Sequence, residues 1–391
     1  MNSGYMDNEL PGSREQITCF VELLKNNLPE HRDNRGKRHT LVLVIVGFVS
    51  ATLVGRHKLS SIHRYLCNRA DWLYEITQTQ KVAPISRAHL PRLLNGLNWS
   101  VLNELIERCF GMRIQYNPSL KWIAIDGKAL RGTLDAGEKQ NLILAVDHDT
   151  REVLAQARQC GDKSSEIPVV RELLKDSGLE KQKVSLDAHH FNPITTTQIH
   201  QADGIYLTQV KENQATFLKQ CKILHTQTPP LAETIEHEKE HGRVTSRRTQ
   251  LFSLAPLILD SRWKNSGLSI LIVVERETFE IAKQKTSFET SYYVSNSELE
   301  TEGIKSLAEE LARAIRYHWG VESNNWIRDV TFNEDRTKTK LGNQAQIMAL
   351  LRGLAIELIR KTSPKNFQAA IEKFADSVST LESMLKQVKF L

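Results

Sequence analysis

Hydrophobic positions recur at helical spacing in the last third of the chain, and an acid stands in the middle of the apolar face. Counted at about 100° per residue, eight positions share one arc of about 120°: Leu307, Leu311, Ile315, His318, Trp319, Glu322, Trp326 and Asp329. Such an arc normally faces the core. Burying a lone carboxylate there is costly unless a cation or a metal ion compensates it. The pattern predicts a helix that carries Glu322 into the protein, with Trp319 and Trp326 in the core or stacked on a base.

Two short apolar runs that each end in aspartate predict buried strands. The first runs from Trp122 to Asp126, and the second from Val184 to Asp187. Ligands of α/β sheets bind at the carboxyl ends of strands. Asp126 and Asp187, together with Glu322, therefore form a candidate all-oxygen site for Mg²⁺ or Mn²⁺. Two such ions can activate water or a 3′-hydroxyl and stabilise the leaving oxygen of a phosphodiester.

Each acid also has a structural interpretation. A strand-end aspartate such as Asp126 or Asp187 commonly serves as a turn or cap residue. Glu322 can instead form a structural ion pair with Arg316 or Arg328. The residues alone leave both interpretations open, and only folding brings acids so distant in sequence together.

The order of the predicted elements indicates an α/β protein with a mixed sheet. Residues 1–115 predict helices only, including a buried helix over Leu41–Gly55, and form a helical N-terminal domain. This domain either binds DNA or packs against its neighbour. Next come antiparallel strands at Trp122–Asp126, Asn141–Val146 and Glu152–Gln159, followed by alternating helices and strands. That succession predicts a mixed sheet with helices on its faces.

The catalytic domain predicted over residues 116–362 contains a β-rich insertion at 231–295. Runs at Thr245–Phe252, Ser269–Arg276 and Ser291–Val294 are rich in β-branched and aromatic residues, with no long helix between them. Residues 363–391 predict a peripheral helical tail.

Composition narrows the class of protein only moderately. The 391 residues carry a net charge of +6, which permits a polyanionic partner without requiring one. Five scattered cysteines without a CxxC pair predict neither a zinc site nor a disulfide framework, and hence a reducing compartment. The N-terminus does not read as a signal peptide. The run Leu41–Gly55 is short for a membrane span of about 20 residues. A cytoplasmic protein is predicted.

Cations beside these motifs predict a DNA-facing surface. The basic loop before Leu41 suits phosphate contacts, although its composition suits a solvated linker equally well. The candidate DNA-binding residues are Arg35, Lys37, Arg38, Lys128, Arg131, Lys211, Arg243 and His318.

Taken in chain order, the motifs resemble those of the ISAs1-type insertion-sequence transposases, a group that includes the H-repeat-associated proteins. The similarity covers nearly the whole chain. Its motifs are Asp33–His39, Ile125–Gly132, Lys163–Pro168, Leu186–His189, Val210–Gln214, His241–Arg243 and His318–Glu322. Each motif is weak alone, but their order and spacing together are specific. This chain has one residue fewer than most members between Glu322 and the next aromatic residue, Trp326.

The resemblance implies a ribonuclease-H-like catalytic core with a DDE triad at Asp126, Asp187 and Glu322. It also implies Mg²⁺ dependence, cutting and joining of double-stranded DNA at insertion-sequence ends, and a β-rich insertion before the glutamate. The expected protein is bacterial, nucleoid-associated when bound to DNA, and compatible with a homodimer on DNA. Two alternatives remain: a DNA-binding relic that no longer cuts, and a ribonuclease-H-like nuclease that hydrolyses without joining.

Overall fold

One mixed sheet of nine strands runs through the protein. The structure, a computed structural model, describes residues 19–32, 37–110, 121–132, 140–160, 166–300, 302–336, 338–339 and 341–391. The strands are β1 Trp122–Ala129, β2 Gln140–Asp147, β3 Val153–Cys160, β4 Lys183–Leu186, β5 Ile205–Val210, β6 Ala232–Glu240, β7 Arg243–Ser253, β8 Ile270–Glu280 and β9 Lys285–Ser295. Their order in the sheet is β3-β2-β1-β4-β5-β9-β8-β7-β6. The pairs β1–β4 and β4–β5 are parallel, and the other pairs are antiparallel. The predicted mixed α/β sheet is confirmed.

The four strands β6 to β9 occupy the region predicted as a β-rich insertion, and they extend the same sheet through β5–β9 pairing. Strand β6 was not predicted, because four glutamates lie within it and glutamate is depleted in strands. Cross-strand ion pairs offset that preference. Arg247 contacts Glu238 at 2.8 Å, and Arg248 contacts Glu233 at 2.7 Å.

Fourteen helices are described around the sheet. Before β1 lie α1 Phe20–Asn27, α2 Leu41–Leu53, α3 Leu59–Asn68, α4 Ala70–Thr77, α5 His89–Gly96 and α6 Trp99–Phe110. Between the strands lie α7 Glu166–Asp176, α8 Pro193–Gln201 and α9 Ala215–Gln227. After the sheet come α10 Ile304–His318, α11 Gly320–Trp326, α12 Gly342–Arg360, α13 Phe367–Asp376 and α14 Val378–Gln387. Within the described part of the chain, no helix is long and apolar enough to cross a membrane.

The largest core cluster joins the N-terminal helices to α12, α13 and α14 and to one face of β1 and β2. Helix α2 is buried along its whole length, as its apolar sequence predicts. The C-terminal residues are not the peripheral tail that was expected. Leu381, Leu385 and Phe390 are fully buried, and the Phe390 ring lies 5.5 Å from that of Phe20. The residues after α14 contact α1 and α6, because the Phe390 ring packs against Phe20 and Phe110. The domain boundaries at 115 and 362 stay a prediction.

The helix predicted from Leu307 through Asp329 is interrupted. Helix α10 ends at His318, α11 begins at Gly320, and a π-helical turn follows at Ile327–Thr331. The break leaves Trp319 58% and Trp326 59% exposed, so the expectation that both lie in the core is wrong. Glu322 is likewise exposed rather than carried into the interior.

Arg151 occupies the break between the two helices. Its Nη1 donates to the carbonyl oxygen of Tyr317 at 2.8 Å, and its guanidinium lies where a Cβ on Gly320 would stand. The arginine thus satisfies a carbonyl at the end of α10, and only glycine at position 320 leaves room for it.

Candidate active site

Two aspartates meet at adjacent strands in the middle of the sheet. Strands β1 and β4 are parallel, with Ile125 opposite Leu186. Asp126 and Asp187 follow these partners directly and therefore lie side by side. Their predicted position on neighbouring strands is confirmed. An oxygen of Asp187 also accepts a hydrogen bond from the Ala188 N–H at 2.6 Å, which holds the carboxylate at the strand end.

Asp126 is surrounded by other acids in a buried setting. Burial raises its pKa to about 6, and the charges of Asp187, Glu166 and Glu322 add to the rise, while the Gly127 N–H opposes it. Asn325 of α11 donates to Asp126 at 3.5 Å. Four acids from four separate elements therefore converge on this part of the sheet.

Glu322 reaches the same region from α11. Although Glu322 is exposed as a residue, partial desolvation raises the pKa of its carboxyl group, and the charge of Asp187 raises it further, whereas Lys211 lowers it. Neither Arg316 nor Arg328 pairs with Glu322: Arg316 contacts Glu238, and Arg328 contacts Glu334 at 3.2 Å. The structural ion pair that the sequence left open for Glu322 is absent among the described residues.

The three predicted acids line one wide cleft. Its volume is about 1000 Å³, and its walls come from the central strands, from α10 and α11, and from β6 to β9. Lys211 also lines this cleft, with its Nζ 3.8 Å from an oxygen of Asp187. The cleft combines open space with a concentration of carboxylates, and Lys211 is the cation beside Asp187.

The donor chemistry of the cleft fits a hard divalent cation. Among the described residues, no group of three or more His, Cys, Asp or Glu side chains is arranged to hold a metal ion as it stands. The acids are nevertheless directed at one cleft, where burial and their mutual repulsion together raise the pKa values of Asp126 and Glu322. Carboxylate oxygens are the donors that Mg²⁺ and Mn²⁺ prefer. Asp126, Asp187 and Glu322 stay the predicted ligands of such an ion.

Glu166 is a fourth acid that the sequence did not single out as a site residue. It begins α7, is buried, and contacts His190 Nε2 at 3.0 Å. Its carboxyl group lies 2.7 Å from the place where a Cβ on Gly127 would stand. Glycine directly after Asp126 therefore lets Glu166 approach the strand, and that Asp-Gly pair was the available signal.

His318 lines the cleft and belongs to a hydrogen-bonded group with Ser185 and His148. Its Nδ1 lies 2.8 Å from Ser185 Oγ, and His148 Nε2 lies 2.8 Å from the same oxygen. Burial lowers the pKa of His318 to about 4, so the imidazole is neutral at pH 7. It brings no positive charge to DNA, and its bond to Ser185 fixes the end of α10 against β4.

The remaining cations predicted to face DNA differ in exposure. Lys128 is buried, with its Nζ 2.6 Å from Asp329, 3.4 Å from Asp335 and 3.7 Å from Glu334. Its predicted place on a DNA-facing surface is wrong, because three carboxylates surround its ammonium instead. Exposed cations are Lys37, Arg38, Arg131, Lys211 and Arg243. Arg35 and residues 163–165 lie outside the described residues.

Two family models and several known proteins match this chain. Residues 118–358 match the family described as "Transposase DDE domain", and residues 24–110 match that described as "DDE_Tnp_1-associated". Over 354 residues the chain is 25% identical to "Putative transposase YncI" of Escherichia coli O157:H7, covering 85% of each chain. It is also 26% identical over 358 residues to "H repeat-associated putative transposase YhhI" of Escherichia coli strain K12, covering 88% of this chain and 91% of that relative.

The first family match contains the strands and helices that carry Asp126, Asp187 and Glu322 and spans more than half of the chain. The protein belongs to the family of the transposase DDE domain.

Proposed function

We propose that this protein is the DNA transposase of an ISAs1-type insertion sequence, and that it cuts and joins DNA strands at the element's ends. The observation that carries the proposal is the convergence of Asp126, Asp187 and Glu322 on one open cleft. Three acids from separate elements match what metal-dependent attack on a phosphodiester requires.

The residues of the cleft have separable roles in this proposal. Asp126 and Asp187 would hold the metal from adjacent strands, and Glu322 would hold it from α11. A bound Mg²⁺ or Mn²⁺ would supply activation of water or a 3′-hydroxyl and stabilisation of the leaving oxygen. Lys211 binds a non-bridging phosphate oxygen, since its ammonium lies at the same wall as Asp187. Glu166 and His190 form a hydrogen bond with each other, and Glu166 packs against β1 at Gly127.

Finer features belong to the same proposal. A ribonuclease-H-like core is supported by the antiparallel strands β1 to β3, which precede the alternating helices and strands through β5. The partner is double-stranded DNA at element ends and target sites, bound in the cytoplasm by a homodimer. Exposed Lys37, Arg38, Arg131 and Arg243 remain candidate DNA contacts.

The test is an assay with purified protein, Mg²⁺ and labelled DNA carrying the ends of its own element. Wild type should cleave at the ends and join the exposed 3′-hydroxyl to target DNA. Asp126→Asn, Asp187→Asn and Glu322→Gln should each abolish both steps while leaving DNA binding largely intact. Glu309→Gln is the matched control, because Glu309 is an exposed glutamate of α10 outside the cleft.

The same assay separates the alternatives. Binding without cleavage by wild type would favour the inactive DNA-binding relic. Cleavage without joining would favour a nuclease. Full cleavage by all three variants would show that these acids are not the catalytic ones.

A further inference from the structure

A second cavity lies between α3 and the C-terminal helices, and its wall is strongly basic. Its volume is about 330 Å³. Three arginines line it, together with polar groups of α3: Arg56, Ser61, Arg64, Tyr65, Asn68 and Arg69. The opposite wall is largely apolar and comes from α13 and α14, including Phe374 and Leu381. None of these residues lines the cleft of the acids.

One face of α3 supplies most of the polar wall. Ser61, Arg64, Tyr65 and Asn68 are spaced i, i+3, i+4 and i+7, so they form a single stripe. Arg64, Tyr65 and Asn68 have N–H or O–H groups able to donate to a phosphate oxygen, whereas the Ser61 hydroxyl donates to the Lys58 carbonyl at 2.7 Å. The apolar face of the helix, with Ile62 fully buried, packs into the core. The core contact therefore fixes which face of α3 meets the cavity.

Arg56 reaches the cavity because of the turn that ends α2. Gly55 has a φ of +75°, and the Gly55 and Arg56 N–H groups donate to Thr52 and Ala51 carbonyls at 3.0 and 2.9 Å. This is a Schellman motif, which favours glycine at the left-handed position. Arg69 stands at the other end of α3, where α4 begins. The two arginines flank the stripe.

The guanidinium groups of this cavity have no carboxylate partners among the described residues. Neither Arg56, Arg64 nor Arg69 forms an ion pair there, and no described lining residue is acidic. Burial raises the pKa of Tyr65 to about 12, even though Arg69 and Arg56 act against the rise, so its hydroxyl stays a donor. Arginines of the cleft wall behave differently: Arg316 and Arg247 both contact Glu238.

We infer that this cavity binds phosphate groups of the duplex DNA backbone, at a site separate from the catalytic cleft. The inference rests on the proposed function, which supplies DNA as the polyanion. Three guanidiniums without carboxylate partners among the described residues, with the Tyr65 and Asn68 donors beside them, surround one open cavity and match phosphate chemistry, since arginine pairs with phosphate through two parallel N–H bonds. The contacts would position the duplex without reading its sequence.

The test measures duplex binding by fluorescence anisotropy in EDTA at several salt concentrations, so that no metal-dependent cleavage interferes. The variant Arg56→Gln/Arg64→Gln/Arg69→Gln should weaken binding at least about tenfold at 0.1 M salt. Its slope of log affinity against log salt should fall by about 0.9 for each phosphate that the variant no longer neutralises. The variant with lysine in place of arginine at the same three positions should keep most of the slope. Retained binding by this variant shows that substitution at these positions leaves the fold intact.

The matched control removes the same charge elsewhere. Lys219→Gln/Lys222→Gln/Lys264→Gln neutralises three exposed cations around α9 and should leave the slope nearly unchanged. Equal slopes for the arginine and control variants, with tight wild-type binding, would overturn the inference but leave the proposed function intact. Calorimetric binding of inorganic phosphate that needs these arginines, without any effect on duplex affinity, would also overturn it. Absence of wild-type duplex binding would overturn both.

Discussion

At the scale of single residues, Asp126 shows how a prospective metal ligand destabilises the metal-free protein. Its carboxyl group is mostly buried and shares its surroundings with Asp187, Glu166 and Glu322. Without a cation, burial and each of these charges disfavour ionisation of Asp126. The residue therefore stabilises the folded state less than a neutral side chain of the same shape would.

Asp126→Asn should stabilise the metal-free protein above pH 6. The folded pKa of about 6 lies above the ordinary value of 3.8, so well below pH 3.8 the proton is bound in both states and nothing is lost. Above pH 6 the carboxylate is ionised in both states and costs the folded state up to about 3 kcal/mol. Urea unfolding in EDTA at pH 4.5 and pH 8 measures the effect, which should grow toward pH 8.

Asp176→Asn is the control for this measurement, because Asp176 is exposed at the end of α7. It should change stability little at either pH. Added Mg²⁺ should raise the stability of wild type but not that of Asp126→Asn, because a ligand stabilises only the state that binds it. Equal stability of wild type and Asp126→Asn in EDTA at pH 8 would contradict the electrostatic account.

At the scale of elements, the segment after α11 is held to strand β1 by buried charges. Lys128 of β1 pairs with Asp329 of the π-helical turn, and Arg328 of the same turn pairs with Glu334. Arg328 also donates to the Ala349 carbonyl at 3.2 Å, which ties the turn to α12. These contacts set the position of α11 and hence of Glu322.

Lys128→Met should therefore act on stability and on cleavage rather than on DNA affinity. Removing one partner of a buried ion pair costs about 3–5 kcal/mol, and here three carboxylates would remain. Denaturant unfolding gives the change in stability, and anisotropy gives the salt slope, which should match that of wild type. Arg131→Met is the companion variant, because Arg131 is 74% exposed and should change stability by less than about 0.5 kcal/mol. A reduced salt slope with unchanged stability for Lys128→Met would restore its predicted role in DNA binding.

At the scale of the whole molecule, helix α1 packs against the residues that follow α14. Phe20 donates its N–H to the Lys389 carbonyl at 3.0 Å, and the rings of Phe20, Phe110 and Phe390 lie within 6.3 Å of one another. Helices α13 and α14 thereby complete the core of the N-terminal helices and form the apolar wall of the basic cavity.

Phe390→Ala should destabilise the protein by about 3–5 kcal/mol, because the ring is fully buried and its removal leaves a cavity. Phe288→Ala makes the same chemical change where the ring is 77% exposed, and it should cost less than about 0.5 kcal/mol. Urea unfolding of both variants against wild type provides the measurement. If Phe390→Ala cost no more stability than Phe288→Ala, the C-terminal residues would be peripheral after all.

Local pattern was sufficient to predict much of the central sheet. Apolar runs ending in Asp126 and Asp187 predicted two adjacent strands, because side-chain alternation and strand ends are local properties. The apolar sequence of α2 predicted its burial in the same way. The motifs indicated a transposase family, and the family match over residues 118–358 confirms it.

Tertiary structure alone decided the exposure of Glu322, the burial of Lys128 and the packing of the C-terminal residues. Helical periodicity identifies an apolar face only while the helix continues, and the break at Trp319 turned Glu322 and Trp326 to the surface. Lys128 was buried by acids about 200 residues away in sequence, a pairing that no local pattern encodes. Packing of Phe390 on Phe20 and the approach of Glu166 to Gly127 likewise depend on shapes that exist only after distant elements meet.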